Sequence, residues 1–531
     1  MKTQATRLLS NDLPITRTDN DTLLQANVLL QKKVAEVSTQ NHSLKKQLDW
    51  FKQQLFGQKS ERRLVEIPVE QGRLFDKRDN TEPRDTPTET IQYSRKKRQK
   101  QRNDAVTDIG LRFDDTVIVE EIRIDVPELR GENSEHYIVI DEHITYRLAQ
   151  RPSSYVVLKY IQPVIKHKGT AVITTKSAPT PVFEKSLADV SFITGLLVDK
   201  FVYHLPLYRQ HQKLQLSGIT LSRSTLTNYV HRAALLLRPI YDALLRSILQ
   251  SKVLALDETP VKAGLKKKGT MQQAWYWPLF GDQNEIAFHF SPSRARKVVD
   301  GLLAGFNGTL VTDGYPVYRA YAKDNQHIVH AQCWMHARRY FIKAENDEPE
   351  LVATALEFIR TLYRHDNHIK DKKITATACQ AYRTTHCKPV TELFFEWCQQ
   401  QASRVDILPQ SLFAKAIYYA RHHETELKVY LTDPTVPMDT GALERGLRVI
   451  PMGKKNWLFN WTEVGAEHMG IIQSLMVSCK MQGINPSVYL TDVLQRVSLH
   501  PASKVDELTP KNWNQKYANH FLKSDLDRVG Q

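Results

Sequence analysis

Two aspartates stand where strand-like apolar runs end. Asp257 follows the run 253–256, and Asp313 ends the strand-like segment that starts at Gly308. Ligands of mixed α/β sheets gather where strand ends and loops converge, so both carboxylates are expected at one edge of one sheet. Like charges placed together repel unless a cation lies between them, which makes a divalent metal the natural occupant. Hard carboxylate oxygens favour Mg²⁺ or Mn²⁺, and two such ions about 3.5–4 Å apart can clamp both oxygens of a phosphodiester exchange. A third carboxylate is normally required.

The segments around these aspartates predict the sheet that positions them. Residues 253–256, 274–280 and 285–290 read as a three-strand meander with a short turn at Gly281-Asp282. A helical stretch over 294–306 then leads into the strand that ends at Asp313. The pattern therefore predicts a mixed α/β sheet with an aspartate at the end of each of two strands.

The composition sets the broad class. The chain has 531 residues, with 73 Lys and Arg against 58 Asp and Glu for a net charge of +15, and 41% of its residues are hydrophobic. About three or four folded domains are expected, and the basic balance favours a nucleic-acid partner. Neither a membrane span nor a signal peptide is recognisable, so a cytoplasmic, nucleoid-associated location is expected. No cysteine precedes Cys333 and no CxxC pair occurs, so we expect neither a disulfide framework nor bound zinc.

The N-terminal region carries a heptad pattern. One apolar series recurs every seven residues and a second is offset from it by four, which predicts a coiled coil over 21–56 that pairs two protomers. A single amphipathic surface helix is the alternative. The polar stretch 57–107 ends in a basic run at 95–102 and is expected to be a flexible linker, with the run either touching DNA or simply solvated. The two series consist of Leu23, Leu30, Val37, Leu44 and Phe51, and of Asn27, Val34, Asn41, Leu48 and Leu55.

Two further regions precede the aspartates. Residues 108–168 contain β-type segments, and a small antiparallel sheet is the simplest interpretation. Residues 203–235 turn helical, with a break at Ser217-Gly218 and possible N-caps at Ser222 and Ser224. Two short helices around a tight turn resemble a helix-turn-helix, although many packed helix pairs look the same. The apolar face of the second helix consists of Leu226, Tyr229, Val230 and Ala233.

The motifs taken together resemble the insertion-sequence-66 family of transposases. They occur in the family's order and spacing, and the resemblance covers nearly the whole chain. The segments that carry it are Gln54 to Glu61, Leu205 to Gln210, Asp257-Glu258-Thr259, Gly308 to Tyr318 with Asp-Gly-Tyr-x-x-Tyr, Cys333 to Arg339, Glu444 to Arg448, Gly453 to Phe459, and Asn485 to Leu490.

The resemblance implies an RNase H-like nucleotidyl transferase whose metal triad would be Asp257, Asp313 and Glu444. A helical insertion over 346–435 would account for the long interval before the glutamate. The family usually places two asparagines shortly before that glutamate, where this chain has Thr440 and Gly441. The alternative for Glu444 is a surface ion pair with Arg448, one helical turn away.

Basic residues near these motifs are candidates for DNA contact. Cys333 and His336 do not make a metal site by themselves, and the resemblance suggests a structural or positioning turn there. The candidate DNA-binding residues are Arg338, Arg339, Arg445, Arg448, Lys454 and Lys455.

The expected fold is multidomain α/β, with an RNase H-like mixed sheet and a helical insertion preceded by a coiled coil, a small β-rich domain and helix-turn-helix-like helices. The expected division is a flexible tail (1–20), the coiled coil (21–56), a basic linker (57–107), the β-rich domain at the position of a degenerate zinc module (108–180), a helical region (181–250), the first part of the catalytic core (251–345), the insertion (346–435), the last part of the core (436–480) and a helical extension (481–531).

The expected function is that of a DNA transposase. The reaction would be metal-dependent cleavage of phosphodiester bonds at the element's ends, followed by transfer of the 3′-hydroxyl to target DNA. Expected partners are the terminal inverted repeats, target DNA, a second protomer and accessory proteins of the same element, with no membrane partner. Two alternatives stay open: an inactive DNA-binding relic or regulator, and a host nuclease that resolves branched DNA.

Overall fold

The computed structural model describes residues 28–38, 45, 111–115, 117–130, 134–151, 154–168, 172–267 and 269–527. The chain divides into two compact units. The first unit comprises Met1–Lys100, Tyr340–Thr354 and Glu396–Tyr418, and the second comprises Gln101–Arg339, Ala355–Phe395 and Tyr419–Gln531.

The described part of the first unit contains a helix over residues 28–38 (α1) and a small aromatic cluster. Leu30, Val34 and Val37 of the heptad series are 54–66% exposed on α1. Apart from residue 45, the rest of the predicted coiled coil and the linker 57–107 lie outside the described residues. The aromatic cluster consists of Phe341, Trp397 and Phe413, whose ring centroids lie 6.2–6.4 Å apart.

The second unit begins with a small sheet in the predicted β-rich region. Strand β1 (Arg112–Phe113) precedes this sheet in the chain and is not part of it. The four strands of the small sheet are β2 (Ile118–Arg123), β3 (Tyr137–Arg151), β4 (Ser154–His167) and β5 (Ile173–Thr175).

The small sheet is mixed, so the expectation of an antiparallel sheet is wrong. The strand order is β2-β4-β3, and β5 also pairs with β4. Strands β3 and β4, which only two residues separate in the sequence, are antiparallel, but β2 lies on the other side of β4 and runs parallel to it. A buried cluster of Val156, Leu158 and Tyr160 includes Leu526 near the C-terminus. The Tyr160 hydroxyl donates to Asp525 at 2.7 Å, so the C-terminal segment helps to hold this sheet.

Helices α2 (Val190–Phe201), α3 (Leu207–Leu216) and α4 (Arg223–Leu249) follow, and the two-residue strand β6 (Ile219–Thr220) lies between α3 and α4. The Ser222 hydroxyl caps α4 by accepting from the Thr225 N–H at 3.1 Å, as the sequence predicted. The predicted apolar face of α4 is buried throughout. Only its predicted length is wrong, because α4 runs for 27 residues.

A six-stranded sheet forms the centre of the second unit. Its strands and the two helices that connect the later ones are, in chain order, β7 (Val253–Leu256), β8 (Thr259–Lys267), β9 (Thr270–Gly281), β10 (Ile286–Ser291), α5 (Arg296–Leu302), β11 (Gly308–Thr312), α6 (Pro316–Asp324) and β12 (Ile328–Gln332).

The strand order of this sheet is β10-β9-β7-β11-β12, with β8 paired to β9. β9 is antiparallel to β7 and β10, which confirms the meander, whereas β7, β11 and β12 are mutually parallel. The sequence did not indicate β8. Its buried Val261 and Ala263 alternate with an exposed lysine and a glycine, which gives a weak apolar signal.

Helices make up most of the remaining chain. They are α7 (Trp334–Lys343), α8 (Pro349–Asp371), α9 (Ala376–Tyr382), α10 (Lys388–Ala402), α11 (Leu412–His422), α12 (Glu424–Lys428), α13 (Gly441–Leu447), α14 (Val449–Trp457), α15 (Glu463–Met481), α16 (Pro486–Arg496) and α17 (Pro510–Lys516).

Helix α15 covers the outer strand of the sheet. A strand at a sheet edge presents unpaired backbone N–H and C=O groups that need partners. Ser474 and Ser478 supply these partners by accepting from the Phe288 and Ile286 N–H groups at 2.8 and 3.0 Å. Gly470 permits the close approach, since a Cβ there would lie 2.6 Å from the Phe288 carbonyl oxygen. The resulting fold is multidomain mixed α/β, and no helix of the described residues is long and apolar enough to cross a membrane.

Candidate active site

Asp257 and Asp313 leave the central sheet at the same edge. Strands β7 and β11 are parallel neighbours, and Ala255 pairs with Val311. The residues that follow each strand therefore emerge side by side. Ligand oxygens of Asp257, Glu258 and Asp313 all lie within 4.8 Å of one another. This carboxylate cluster is the one group of three or more potential metal-ligating side chains found among the described residues.

Asp257 carries the signature of crowded carboxylates. The pKa of Asp257 is raised to about 7, chiefly by burial and next by the neighbouring charge of Asp313. The Glu258 N–H donates to Asp257 Oδ1 at 2.7 Å and opposes the shift, while the charges of Glu258 and Glu444 add to it. A divalent cation would relieve this repulsion and return the pKa of Asp257 toward its ordinary value.

Glu258 is already engaged by other side chains. Arg294 Nε donates to Glu258 Oε1 at 2.9 Å, and the Tyr318 hydroxyl donates to Oε2. Burial raises the pKa of Glu258, whereas these hydrogen bonds lower it. Only 4% of its side chain is exposed, so Glu258 is a buried member of the cluster whose carboxylate is held in place by Arg294 and Tyr318.

The loop after β11 is folded around Asp313. The Asp313 carboxylate accepts a hydrogen bond from the Tyr315 N–H at 2.9 Å, which fixes the turn into α6. The Arg294 guanidinium lies 3.9 Å from the centre of the Tyr315 ring, and the Tyr315 hydroxyl donates to the Arg294 carbonyl at 3.0 Å. The Asp-Gly-Tyr-x-x-Tyr motif thus supplies one carboxylate and, through Tyr318, a partner for Glu258.

Glu444 lies on α13 and is not a member of the carboxylate cluster, although its charge contributes to the raised pKa of Asp257. Arg339 donates to Glu444 Oε2, and His336 Nε2 lies 3.8 Å from Oε1. Oε1 is buried and accepts no hydrogen bond from the described residues. The predicted alternative of a pair with Arg448 is wrong, because the cationic partner of Glu444 is Arg339.

Cys333 and Thr440 join α13 to the central sheet. The Cys333 thiol is buried at the end of β12 and accepts from the Thr440 N–H and hydroxyl, each at 3.3 Å. The Trp334 N–H donates to the Met438 carbonyl at 3.1 Å. Burial raises the pKa of Cys333 to about 11, so this thiol stays protonated at neutral pH. Thr440 therefore has a structural role in this chain.

The six candidate DNA-binding residues lie at several places. Arg338 lines a cavity of about 400 Å³ with Arg360 and Tyr363, and Arg339 pairs with Glu444 as described above. Arg445 and Arg448 line a second cavity of about 550 Å³. Lys454 and Lys455 are exposed in the last turn of α14.

Comparison with known proteins identifies the family. Residues 185–468 match the family described as Transposase IS66 family, residues 474–511 match the IS66 C-terminal element, and residues 43–108 match the description Transposase C of IS166 homeodomain.

Two uncharacterized proteins of Sinorhizobium fredii (strain NBRC 101917 / NGR234) are similar over most of the chain. The protein y4jD is 32% identical, with 67% of this chain and 70% of its own length covered. The protein y4qI is 27% identical, with 71% and 72% covered. The first match spans more than half of the chain and contains Asp257, Asp313 and Glu444. The chain belongs to the IS66 family of insertion-sequence transposases.

Proposed function

We propose that the protein cleaves phosphodiester bonds at the ends of its insertion sequence and transfers the resulting 3′-hydroxyl to target DNA. The observation that carries this proposal is the carboxylate cluster at the ends of parallel strands β7 and β11. The strand order, a meander followed by two parallel strands on the far side of β7, supports an RNase H-like core. In this proposal 251–345 and 436–480 form the catalytic core, and the helices of 346–435 are an insertion.

The residues present fit divalent ions. Asp257 and Asp313 offer carboxylate oxygens within 4.8 Å of each other, and the pKa of Asp257 is raised first by burial and then by the nearby charge of Asp313. Glu444 offers the buried Oε1, which accepts no hydrogen bond from the described residues. Two Mg²⁺ or Mn²⁺ ions held by these three residues would stabilise the attacking and leaving oxygens of the phosphodiester cleavage.

Other residues near the carboxylate cluster orient its side chains or would bind DNA. Arg294 and Tyr318 hold Glu258, whose backbone N–H in turn orients the Asp257 carboxylate. Basic side chains would bind DNA phosphates and align the scissile bond. In this proposal Arg338, Arg339, Arg445, Arg448, Lys454 and Lys455 serve that purpose.

Pairing of two protomers through residues 21–56 would bring both element ends together. The exposed apolar side chains of α1 support such pairing, because an unpartnered heptad face is stabilised by burial against a second helix. Accessory proteins of the same element would act with this dimer.

The test is cleavage of a duplex that carries the element's end sequence, in Mg²⁺ or Mn²⁺. We expect the wild-type protein to release a 3′-hydroxyl at that end, and Asp257→Asn and Asp313→Asn to abolish cleavage while DNA binding survives. Asp115→Asn, an exposed aspartate in the small β-rich region, is the matched control. Undiminished cleavage by Asp257→Asn would refute the assignment of the metal triad. Absence of cleavage by the wild-type protein would favour the inactive relic, and preference for branched junctions over element ends would favour the host nuclease.

A further inference from the structure

The loop between α14 and α15 leaves two large apolar side chains in solvent. Leu458 is 65% exposed and Trp461 is 68% exposed. A tryptophan is on average highly buried, so exposure of this extent needs a reason. The neighbouring Trp457 is half-buried, with its ring centroid 5.8 Å from that of His204. Within the loop itself Phe459 is half-buried, whereas Leu458 and Trp461 are largely exposed, and we call this pair the wedge.

The backbone of this loop is strained where it carries Leu458. Leu458 has φ 67° and ψ −53°, and the Phe459 N–H donates to the Trp457 carbonyl at 2.7 Å. These values define the rare γ-turn with positive φ at its centre, which a branched residue adopts at a cost. Such strain persists only where the surrounding structure holds it, and it clusters at functional sites.

The loop is held by the β8–β9 hairpin. The Asn460 N–H donates to the Lys262 carbonyl at 2.9 Å, and the Gly264 N–H donates to the Asn460 carbonyl at 3.1 Å. Strand β8 begins at Thr259, the residue that follows Glu258 of the carboxylate cluster. Hydrogen bonds and one short strand therefore connect the wedge to the candidate active site.

Five lysines lie on β8 and at the end of α14, the two elements that adjoin the loop of the wedge. Lys262, Lys266 and Lys267 are exposed on β8, and Lys454 and Lys455 are exposed just before the strained turn. None of the five forms a salt bridge within the described part of the chain. The side chain of Glu463, at the start of α15, approaches Gly264 of β8. An exposed apolar pair on a loop adjoined by lysines that form no salt bridge is complementary to a polyanion that also exposes flat apolar surfaces.

We propose that the wedge contacts unpaired or unstacked bases of DNA beside the cleavage site, while the adjoining lysines bind the phosphates of the same strand. Aromatic side chains stack on bases of single strands, and leucine side chains can enter an opened base step. The faces of the bases are hidden in a regular duplex, so the wedge selects distorted or single-stranded DNA. This inference rests on the proposed DNA-cleaving function and adds the state of DNA that the protein recognises.

The test is binding of the full-length protein to three fluorescein-labelled probes in the presence of a chelator. The probes are oligothymidylate, a paired duplex, and the same duplex with a short run of mismatches, with binding read by fluorescence anisotropy. We expect Trp461→Ala to weaken binding to the first and third probes about tenfold and to change binding to the paired duplex less than about twofold. Trp461→Phe should restore most of the loss. Lys262→Gln should weaken binding to all three probes and reduce its salt dependence.

Leu458→Gly separates the proposal from a purely structural role. Glycine tolerates positive φ, so this variant should melt at the same or a higher temperature than wild type. Its binding to the mismatched duplex should nevertheless weaken several-fold. Leu499→Gly, at a leucine that is 88% exposed elsewhere in the chain, is the control and should not alter binding.

Three results would overturn the proposal. The first is that Trp461→Ala binds all three probes as tightly as wild type does. The second is that this variant loses equal affinity for paired and unpaired DNA. The third is that it forms a smaller oligomer in size-exclusion chromatography while its DNA binding is unchanged, which would assign the wedge to a second copy of the chain. Because the assay contains no divalent ion, an inactive carboxylate cluster would not affect it. Failure of the proposed cleavage and failure of the wedge are therefore distinguishable.

Discussion

Replacing Asp257 by asparagine should stabilise the metal-free protein at alkaline pH. The folded-state pKa of Asp257 is about 7, against an ordinary value of 3.8, chiefly because the group is buried and then because Asp313 is near. The folded protein therefore holds a proton on Asp257 more tightly than the unfolded chain does. The stability that this difference contributes is present below the unfolded pKa and is lost as the pH rises through about 7.

The size of the effect follows from the shift. Each pKa unit corresponds to about 1.4 kcal/mol, so ionised Asp257 destabilises the folded state by roughly 4 kcal/mol at about pH 8 and by less than about 1 kcal/mol at about pH 4. Asparagine keeps the oxygen that accepts from the Glu258 N–H but carries no charge. At about pH 8 the variant should therefore be more stable than wild type by roughly 4 kcal/mol, which amounts to several degrees of melting temperature.

The assay is thermal unfolding in a chelator at the two pH values, followed by titration with Mg²⁺ or Mn²⁺. Wild type should gain stability from the ions at about pH 8, because they bind the ionised cluster, whereas Asp257→Asn should gain little. Asp115→Asn is again the control. Equal melting of wild type and Asp257→Asn at about pH 8, or a gain of the same size at both pH values, would refute the electrostatic reasoning. Full metal stabilisation of the variant would refute the assignment of Asp257 as a ligand.

Three further variants test the packing and the site. Gly470→Ala should lower the free energy of unfolding by about 1–3 kcal/mol, measured by denaturant titration, because the added Cβ meets the Phe288 carbonyl oxygen; unchanged stability would mean that the helix can move away from the strand. Asp492→Ala should cost about 3 kcal/mol or more in the same measurement, because it removes a fully buried carboxylate that pairs with Arg496 and accepts from the Trp513 indole N–H; a loss below about 1 kcal/mol would contradict this. Glu444→Gln should reduce strand cleavage about a hundredfold or more with DNA affinity retained, and residual activity near wild type would exclude Glu444 as a ligand.

Much of the central sheet was predictable because its strands carry strong local signals. The run 253–256 is wholly buried, and so the sequence there shows nothing but apolar residues. The meander and the parallel strand before Asp313 follow from such runs and from the turns between them. Strand β8 was missed because only its Val261 and Ala263 are buried, and its remaining residues suit solvent. The strand also ends in lysines, which resemble a loop.

Long-range partners were the part that the sequence could not supply. Nothing local indicates that Arg294 reaches back to Glu258, or that Arg339 rather than Arg448 pairs with Glu444. The small sheet was mispredicted for the same reason, since local alternation predicts strands but not which strand lies between the other two. Asp257 and Asp313 could be predicted to lie together because each follows an apolar strand of one mixed sheet, and ligand-binding side chains of such sheets gather at the strand ends. Helix α13, which approaches from beyond a long insertion, has no such constraint.

The two glutamates near the aspartates differ in what they can offer a metal ion. Glu258 is closer to Asp257 and Asp313, but both of its oxygens accept hydrogen bonds, from Arg294 and from Tyr318. Recruiting Glu258 would leave a buried tyrosine hydroxyl and an arginine without their acceptor, at a cost of a few kcal/mol. Glu444 loses less on coordinating, because Oε1 accepts no hydrogen bond and Arg339, which holds Oε2, is exposed enough to turn toward DNA phosphate. These contacts support the proposed assignment of Glu444 as the third ligand, in which Arg339 would be released as DNA and metal bind.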